Sequence, residues 1–475
     1  MNPLTDRMSS NRRQFLLQSG VGLGGVALTW MLQRDAGAAT RSVVTNPLVA
    51  KIPPLAARAK SVIFLMMEGG PSQMDTFDPK PGLEKVDGQL FKREGVNSGQ
   101  VSGNRHFVRS PFKFGKYGEC GMDVSELFEQ TAAHVDEMAF LRSGYCDSDN
   151  HPAAVFQYMT GFPVQGNPSI GSWVIYGLGS ENENLPSYVV LRDGKPYGGT
   201  TSWGNGYLPA LYQGVQFRDG EPPVLHLRPH GGVSRSQQQS TLQLLQSLNH
   251  SHWQARGEFS DLEARIAAYE LAFRMQREIP EAIDIDRETE ATQKLYGLDD
   301  DTTKQYGTRC LLARRLVERG VRYVQVWAHG WDSHDNVLEG HRNAAKRVDR
   351  PIAGLLADLK QRGLLDDTLV VWGGEFGRTA DTTEAAFNKK KPGRDHNPRA
   401  TLMWFAGGGV RRGTTIGATD EFGEWSVEDR YHLRDVHATM LHLLGLDQET
   451  LTYYHGGLLK RLTDTGGEII HQLLA

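Results

Sequence analysis

The stretch SVIFLMMEGGPSQMDTF (residues 61–77) decides the fold, because an apolar run ends there abruptly in polar residues and glycines. Its first seven residues are almost all apolar, which predicts a strand that is covered on both faces. Glu68 and two glycines follow at once. In open α/β sheets, ligands bind beyond the carboxyl ends of the strands. A buried strand that ends in polar groups therefore predicts a functional site at that edge.

Three later stretches have the same apolar character: VRYVQVWA (321–328), TLVVWGG (368–374) and TLMWFAGGG (401–409). Amphipathic patterns precede the first two, and each closes with a glycine, as helices commonly do. Another helical pattern, VHATMLHLLG, covers 436–445. Helices that alternate with buried strands predict an α/β fold, with a mostly parallel central sheet sandwiched by helices.

The composition excludes several classes of protein. The 475 residues carry a formal net charge of −4, and their basic side chains are scattered, so nucleic acid is not an expected partner. Three cysteines and no CxxC pair argue against a disulfide framework or a thiolate zinc cluster. No run is apolar enough to predict stable insertion in a membrane. We expect a soluble globular protein.

Residues 1–39 are typical of a twin-arginine export signal. Arg12 and Arg13 precede a weakly apolar, glycine-rich stretch, and small residues follow at 36–39. A disordered N-terminal arm is the alternative. The interpretation predicts a periplasmic or extracellular protein whose mature chain starts near Thr40. Residues 40–475 are then expected to form a single domain, with an insertion or cap at about 162–300 that includes a helix ending at Pro280.

Carboxylates and imidazoles follow the predicted strands or lie in adjoining loops, and together they would repel one another without a cation. The predicted metal ligands are Asp75, Asp332, His334, Glu375, Asp395 and His396. This set of Asp, Glu and His without Cys suits Zn²⁺, Mn²⁺, Ca²⁺ or Mg²⁺, and the sequence leaves the choice open. Each position also has a structural alternative, such as a turn cap for Asp75 or a solvated loop for Asp395 and His396.

Four further residues are predicted to take part in catalysis. Arg378 and Arg394 would neutralise charge that develops on the substrate. His151, in DSDNHPAA (147–154), would act as a nucleophile or as an acid or base, and Thr76 is a second candidate nucleophile. The motifs GxxxxGK[ST], HExxH and GxSxG are absent from the sequence.

Several of these motifs together resemble the DUF1501 family, which is related to sulfatases within the alkaline phosphatase superfamily. The resemblance is carried by the first stretch above and by GWDSHDN (330–336), VVWGGEFGRT (370–379), GRDHNP (393–398) and the tail at 435–464. It implies an alkaline phosphatase-like fold with one or two metal ions that hydrolyses phosphate or sulfate esters. The family pattern places the first ligand at Glu68 or Asp75, and Glu375 stands where an Asp-His pair is usual.

The resemblance departs from sulfatases at the nucleophile. HPAAVFQYMTG (151–161) has the ending and length of the sulfatase motif, but His151 stands where Cys or Ser is expected. We expect an exported, metal-dependent hydrolase of phosphate or sulfate esters, acting on a small-molecule or polysaccharide substrate. The alternative is a non-catalytic, metal-containing protein that binds sulfated or phosphorylated polysaccharide.

Overall fold

The computed structural model describes residues 47–93, 102–192, 194–218, 234–256 and 260–475. Pro47–Ala475 forms a compact unit. The predicted export signal at 1–39 lies outside the described residues and stays a prediction.

The strands and helices have the following bounds. The strands are β1 (Ser61–Met67), β2 (Leu90–Arg93), β3 (Gly103–Phe107), β4 (Phe114–Tyr117), β5 (Met122–Ser125), β6 (Met138–Tyr145), β7 (Tyr188–Leu191), β8 (Val215–Phe217), β9 (Tyr323–Ala328), β10 (Thr368–Gly373), β11 (Gly377–Arg378), β12 (Asp381–Thr383), β13 (His396–Asn397), β14 (Thr401–Ala406), β15 (Thr414–Ile416), β16 (Ala418–Thr419), β17 (Ser426–Glu428), β18 (Tyr431–His432), β19 (Tyr453–His455) and β20 (Leu458–Lys460). The α-helices are Gln73–Thr76, Gly82–Val86, His151–Thr160, Ile170–Leu178, Arg235–Arg256, Ser260–Ala282, Glu290–Leu295, Lys304–Glu318, Val337–Gln361, Glu384–Asn388 and Leu433–Leu443.

The main sheet has the strand order β15-β6-β14-β10-β1-β9-β7-β8, and β18 also pairs with β6. Strands β10, β1, β9, β7 and β8 run parallel to one another. Strand β14 lies antiparallel between β10 and β6. The predicted mostly parallel α/β fold is confirmed. The direction of β14 was not predictable from its apolar run, because burial on both faces does not depend on strand direction.

Strand β1 shows how the sheet is covered on both sides. Val62, Phe64 and Met66 pack into one apolar cluster, and the alternate residues Ile63 and Leu65 pack into the other. Successive strand side chains point to opposite faces, so a strand between two helical layers must be apolar throughout. The long helices before β9 and β10 contribute to the second cluster, and the helices that start at 151, 170 and 433 contribute to the first.

The region expected to be an insertion or cap is partly core. Residues 162–300 contribute β7 and β8 to the main sheet, and the helices Arg235–Arg256 and Ser260–Ala282 follow them. The second helix was expected to end at Pro280, but it continues for two more residues, to Ala282. Proline in a final turn disturbs few of the helical hydrogen bonds that a mid-helix proline would break.

Candidate metal centre

The topology explains why polar side chains from distant parts of the chain meet. Strands β1, β6, β9 and β10 are parallel or related through β14, so they end at one edge of the sheet. His151 follows β6, and Asp332 and His334 follow β9. His396 precedes β14, whose amino end lies at this same edge because the strand runs antiparallel. The four side chains therefore meet at one edge of the sheet, where three follow the carboxyl ends of strands and His396 precedes the amino end of β14.

Asp332 lies at the centre of this group. Its carboxylate oxygens lie 3.3 Å from Nε2 of His151, 3.0 Å from Nε2 of His334 and 3.3 Å from Nε2 of His396. One ligand atom from each of the four residues lies within 4.8 Å of the other three. We call these four residues, His151, Asp332, His334 and His396, the metal cluster. This spacing is the one expected of side chains that surround a single cation.

The other nitrogen of each ring is held by an oxygen atom. Nδ1 lies 2.6 Å from Glu375 Oε1 in His151, 2.8 Å from Asp395 Oδ1 in His334, and 2.6 Å from the carbonyl oxygen of Asp149 in His396. A carboxylate or carbonyl oxygen only accepts, so each Nδ1 carries a hydrogen, and in the neutral ring Nε2 is left with its lone pair. Metal-ligating histidines are held in this way in proteins.

The arrangement is unfavourable without positive charge at its centre. Nε2 of His334 and Nε2 of His396 lie only 2.9 Å apart, so two lone pairs would face each other. Hydrogen bonds to Asp332 and Asp395 raise the pKa of His334 to about 9. Burial opposes the charge of Asp332, but hydrogen bonds from the three imidazoles and the nearby Arg378 hold its pKa below its ordinary value. Either protons or a metal ion must supply the missing charge.

The predicted ligands Glu375 and Asp395 lie outside the metal cluster, and each contacts the ring of one of its histidines. Glu375 is fully buried, accepts from His151, and also accepts from the backbone N–H of Gly69 at 3.0 Å. Asp395 accepts from His334, and an ion pair with Arg105 holds its other oxygen. Burial disfavours the ionised form of Asp395, but His334 and Arg105 lower its pKa to about 2. Both carboxylates therefore orient imidazoles rather than face the centre.

Asp75 and Thr76 lie apart from the metal cluster. Asp75 is fully buried and forms an ion pair with Arg394, whose Nε lies 2.6 Å from Oδ2. Thr76 is also fully buried and donates its hydroxyl to the carbonyl oxygen of Ser72 at 2.9 Å. The Thr76 hydroxyl is therefore engaged with the backbone in this structure. The polar residues that end β1 therefore split between the site edge and a separate buried ion pair.

The two predicted substrate-binding arginines are both engaged within the protein. Arg378 is fully buried; its Nη2 lies 2.6 Å from Asp332 Oδ1, and Nε and Nη1 donate to the carbonyl oxygens of Gly70 and Arg394. The guanidinium of Arg394 is committed to Asp75. Arg378 thus neutralises part of the charge of the metal cluster, and Arg394 stabilises a buried carboxylate.

Both ring nitrogens of His151, the predicted nucleophile or acid and base, face carboxylates. Nδ1 contacts Glu375, and Nε2 faces Asp332. It is the first residue of the helix His151–Thr160, and Asn150 is the N-cap. These contacts place His151 within the metal cluster.

Of three further residues near the centre, Glu68 was a candidate first ligand in the family pattern, and Tyr197 and Arg105 had no signal in the sequence. Tyr197 stacks on the ring of His151, with centroids 4.2 Å apart, and its backbone N–H donates to Glu68 at 2.6 Å. Burial raises the pKa of Glu68 to about 7. Arg105 reaches Asp395 from β3, which no motif marks. The position of Glu68 after β1 was a signal, but the other two depend on tertiary contacts.

Several solved structures are similar to this chain at low sequence identity. One such structure is that of the lipoteichoic acid synthase LtaP from Listeria monocytogenes, with a TM-score of 0.40, 10% identity, and coverage of 85% of this chain and 78% of that one. A second is the PsFucS1 sulfatase from Pseudoalteromonas sp., with a TM-score of 0.36, 14% identity and coverage of 90% and 72%. A third, from Vibrio parahaemolyticus, is described as a protein in the alkaline phosphatase superfamily, with a TM-score of 0.35, 11% identity and coverage of 87% and 73%.

The chain was also compared with curated proteins and with models of protein families. No curated protein matches the chain. In the described part of the chain, no helix has both the length and the apolar character needed to cross a membrane. The family model described as "Protein of unknown function (DUF1501)" matches residues 59–474. That match spans nearly the whole compact unit and includes every residue of the metal cluster, and the chain therefore belongs to the DUF1501 family.

Proposed function

We propose that this protein is a metal-dependent hydrolase of phosphate or sulfate esters, with a small-molecule or polysaccharide substrate. One observation carries the proposal: three imidazole Nε2 atoms converge on Asp332 while each Nδ1 is held by an oxygen acceptor. Histidines that ligate a metal usually donate one ring N–H to an oxygen acceptor and bind the metal through the lone pair of the other nitrogen.

The donor set favours an ion of the zinc type. Three nitrogens and one carboxylate suit Zn²⁺ or a similar transition ion, whereas Mg²⁺ and Ca²⁺ take mainly oxygen ligands. A bound divalent ion would polarise an ester oxygen and lower the pKa of a water molecule. The chain's own residues hold the ligands: Glu375, Asp395 and the Asp149 carbonyl fix the three rings.

The metal cluster is open to solvent on one side, as a catalytic site requires. The side chain of His334 is 45% exposed and that of Asp332 is 26% exposed, whereas Glu375 and Arg378 behind them are fully buried. Catalytic metal sites keep one position free for substrate or water, and structural sites are closed. Two members of the metal cluster are thus exposed to solvent while the residues that support them are buried, and this supports a site that binds substrate.

A second candidate function is a metal-containing protein that binds sulfated or phosphorylated polysaccharide without turnover. It is favoured by the surroundings of the predicted nucleophiles: both nitrogens of His151 face carboxylates, and Thr76 is buried. The two functions share the metal cluster and differ only in whether an ester is cleaved.

The test combines metal content with turnover. Purified protein is analysed for bound metal and assayed, with Zn²⁺, Mn²⁺, Mg²⁺ and Ca²⁺, on p-nitrophenyl phosphate, a phosphodiester and p-nitrophenyl sulfate. His334→Ala and His396→Ala should lose both metal and turnover, and His455→Ala, an exposed histidine on β19, should lose neither. Metal without turnover on any ester would favour the second function. A wild-type protein that binds none of these ions would refute both.

Export is part of the same proposal and has a separate test. The paired Arg12 and Arg13 support the twin-arginine route to the periplasm or beyond. In cell fractionation, Arg12→Lys with Arg13→Lys should retain the protein in the cytoplasm. Unchanged secretion of this variant would contradict the route.

A further inference from the structure

A row of alternating charges leads away from the metal cluster. Asp395, which holds Nδ1 of His334, forms an ion pair with Arg105. Nε of Arg105 lies 2.9 Å from Asp381 Oδ2, and Asp381 also accepts from Arg93 at 2.9 Å. Arg93 in turn contacts Glu424 at 2.9 Å. This row connects a metal-cluster histidine to strands that contribute no ligand.

The backbone holds Arg105 in place independently of these ion pairs. Arg105 lies in β3, opposite Phe91 of β2 on one side and Thr383 of β12 on the other. Its side chain is 1% exposed. An arginine fixed in this way presents its guanidinium at a set position, and a carboxylate paired with it has little freedom to rotate.

The other contacts of Asp395 do not fix its carboxylate. Its backbone N–H donates to Thr379 Oγ1 at 3.0 Å, and its carbonyl oxygen accepts from the N–H of Thr379 at 2.9 Å. These bonds hold the main chain and leave the side-chain torsions free. The two carboxylate oxygens are shared between His334 Nδ1 on one side and Arg105 Nη2 on the other. The direction of the carboxylate is therefore set by Arg105.

We propose that Arg105 is a positioning residue for the metal centre, acting through Asp395 on the ring of His334. This inference rests on the metal centre of the proposed function, but not on ester hydrolysis. Without Arg105, the Asp395 carboxylate keeps only its contact with His334, so the two side chains can rotate together and the His334 ring loses its fixed orientation. Loss of such an outer partner typically weakens metal binding roughly 10- to 100-fold.

Arg93 supplies a matched control. It belongs to the same charge row and pairs with the same Asp381, but it contacts Glu424 where Arg105 contacts Asp395. Arg93→Met and Arg105→Met therefore each leave Asp381 with one arginine fewer. Only Arg105→Met removes a partner of the carboxylate that holds His334. A general loss of stability would appear in both variants, whereas a positioning role is specific to Arg105.

The experiment measures Zn²⁺ affinity by chelator competition and records the visible spectrum of the Co²⁺-loaded protein, with circular dichroism as a check on folding. Arg105→Met should weaken Zn²⁺ binding roughly 10- to 100-fold and change the Co²⁺ spectrum. Arg105→Lys should restore part of the affinity, and Arg93→Met should keep both wild-type affinity and spectrum. In the double variant, Arg105→Met should add nothing to Asp395→Asn, because both remove the same contact.

Three results would overturn the inference. They are wild-type affinity in Arg105→Met, equal weakening in Arg93→Met, and additive effects of Arg105→Met and Asp395→Asn. In each, the wild-type protein still binds metal, so the proposed function stands while the inference fails. A wild-type protein that binds neither Zn²⁺ nor Co²⁺ would overturn both.

Discussion

Asp75→Ala is expected to destabilise the fold strongly while leaving metal binding intact. Asp75 and Arg394 are both essentially inaccessible to solvent, and their closest atoms lie 2.6 Å apart. The pKa of Asp75 is lowered: burial opposes its ionisation, but the charge and hydrogen bonds of Arg394 outweigh that effect. Removing one partner leaves the other charge buried and unpaired, which typically costs about 3–5 kcal/mol. We expect the free energy of unfolding to fall by this amount.

The assay is urea unfolding of wild type and Asp75→Ala in excess chelator, so that bound metal adds nothing to either free energy. The double variant Asp75→Ala with Arg394→Met is the control, because it removes both charges and should recover much of the loss. Metal stoichiometry is then measured without chelator. An Asp75→Ala protein that loses its metal but unfolds at the wild-type urea concentration would refute the structural role and restore Asp75 as a ligand.

Three further outcomes are expected. Glu375→Gln should weaken Zn²⁺ binding roughly 10- to 100-fold in chelator competition, because His151 loses its carboxylate partner, and unchanged affinity would contradict that role. His437 is buried, and burial lowers its pKa to about 4; its stabilising effect is present above its ordinary value of 6.5 and is lost as the pH falls from 6.5 to 4. That loss amounts to about 3 kcal/mol, so urea unfolding of His437→Gln should depend less on pH over this window, and parallel curves would contradict the assignment. Tyr197→Ala should weaken Zn²⁺ binding by at most about tenfold, because it removes a stacking contact on His151 that is worth about 0.5–1.5 kcal/mol. Tyr197→Phe keeps the stacked ring and should not weaken binding. Equal effects of the two variants would argue against stacking.

The sequence was informative where local pattern and topology act together. Apolar runs identified β1, β9, β10 and β14, and polar residues at their ends marked the edge where the metal cluster lies. Asp332, His334 and His396 were among the predicted ligands and are brought together there. This worked because parallel strands covered by helices place their carboxyl ends side by side.

The remaining assignments depended on contacts that local sequence does not contain. Whether a carboxylate faces the centre of the metal cluster or an imidazole is decided by differences of about one side-chain length, so local sequence could not separate Glu375 and Asp395 from members of the metal cluster. Asp75 was expected at the site because it follows β1, but its partner Arg394 lies 319 positions away. His151 was predicted to be a nucleophile or an acid or base from its position in a motif, and the sequence did not indicate that Glu375 and Asp332 lie on either side of its ring.

The central claim is that His151, Asp332, His334 and His396 surround one cation. The most direct measurement is anomalous diffraction at the zinc absorption edge from crystals of the Zn²⁺-loaded protein. The account predicts a single strong peak bonded to Nε2 of the three histidines and to a carboxylate oxygen of Asp332. A zinc peak located elsewhere, or rings of these histidines that turn their Nε2 atoms away from one another, would contradict it.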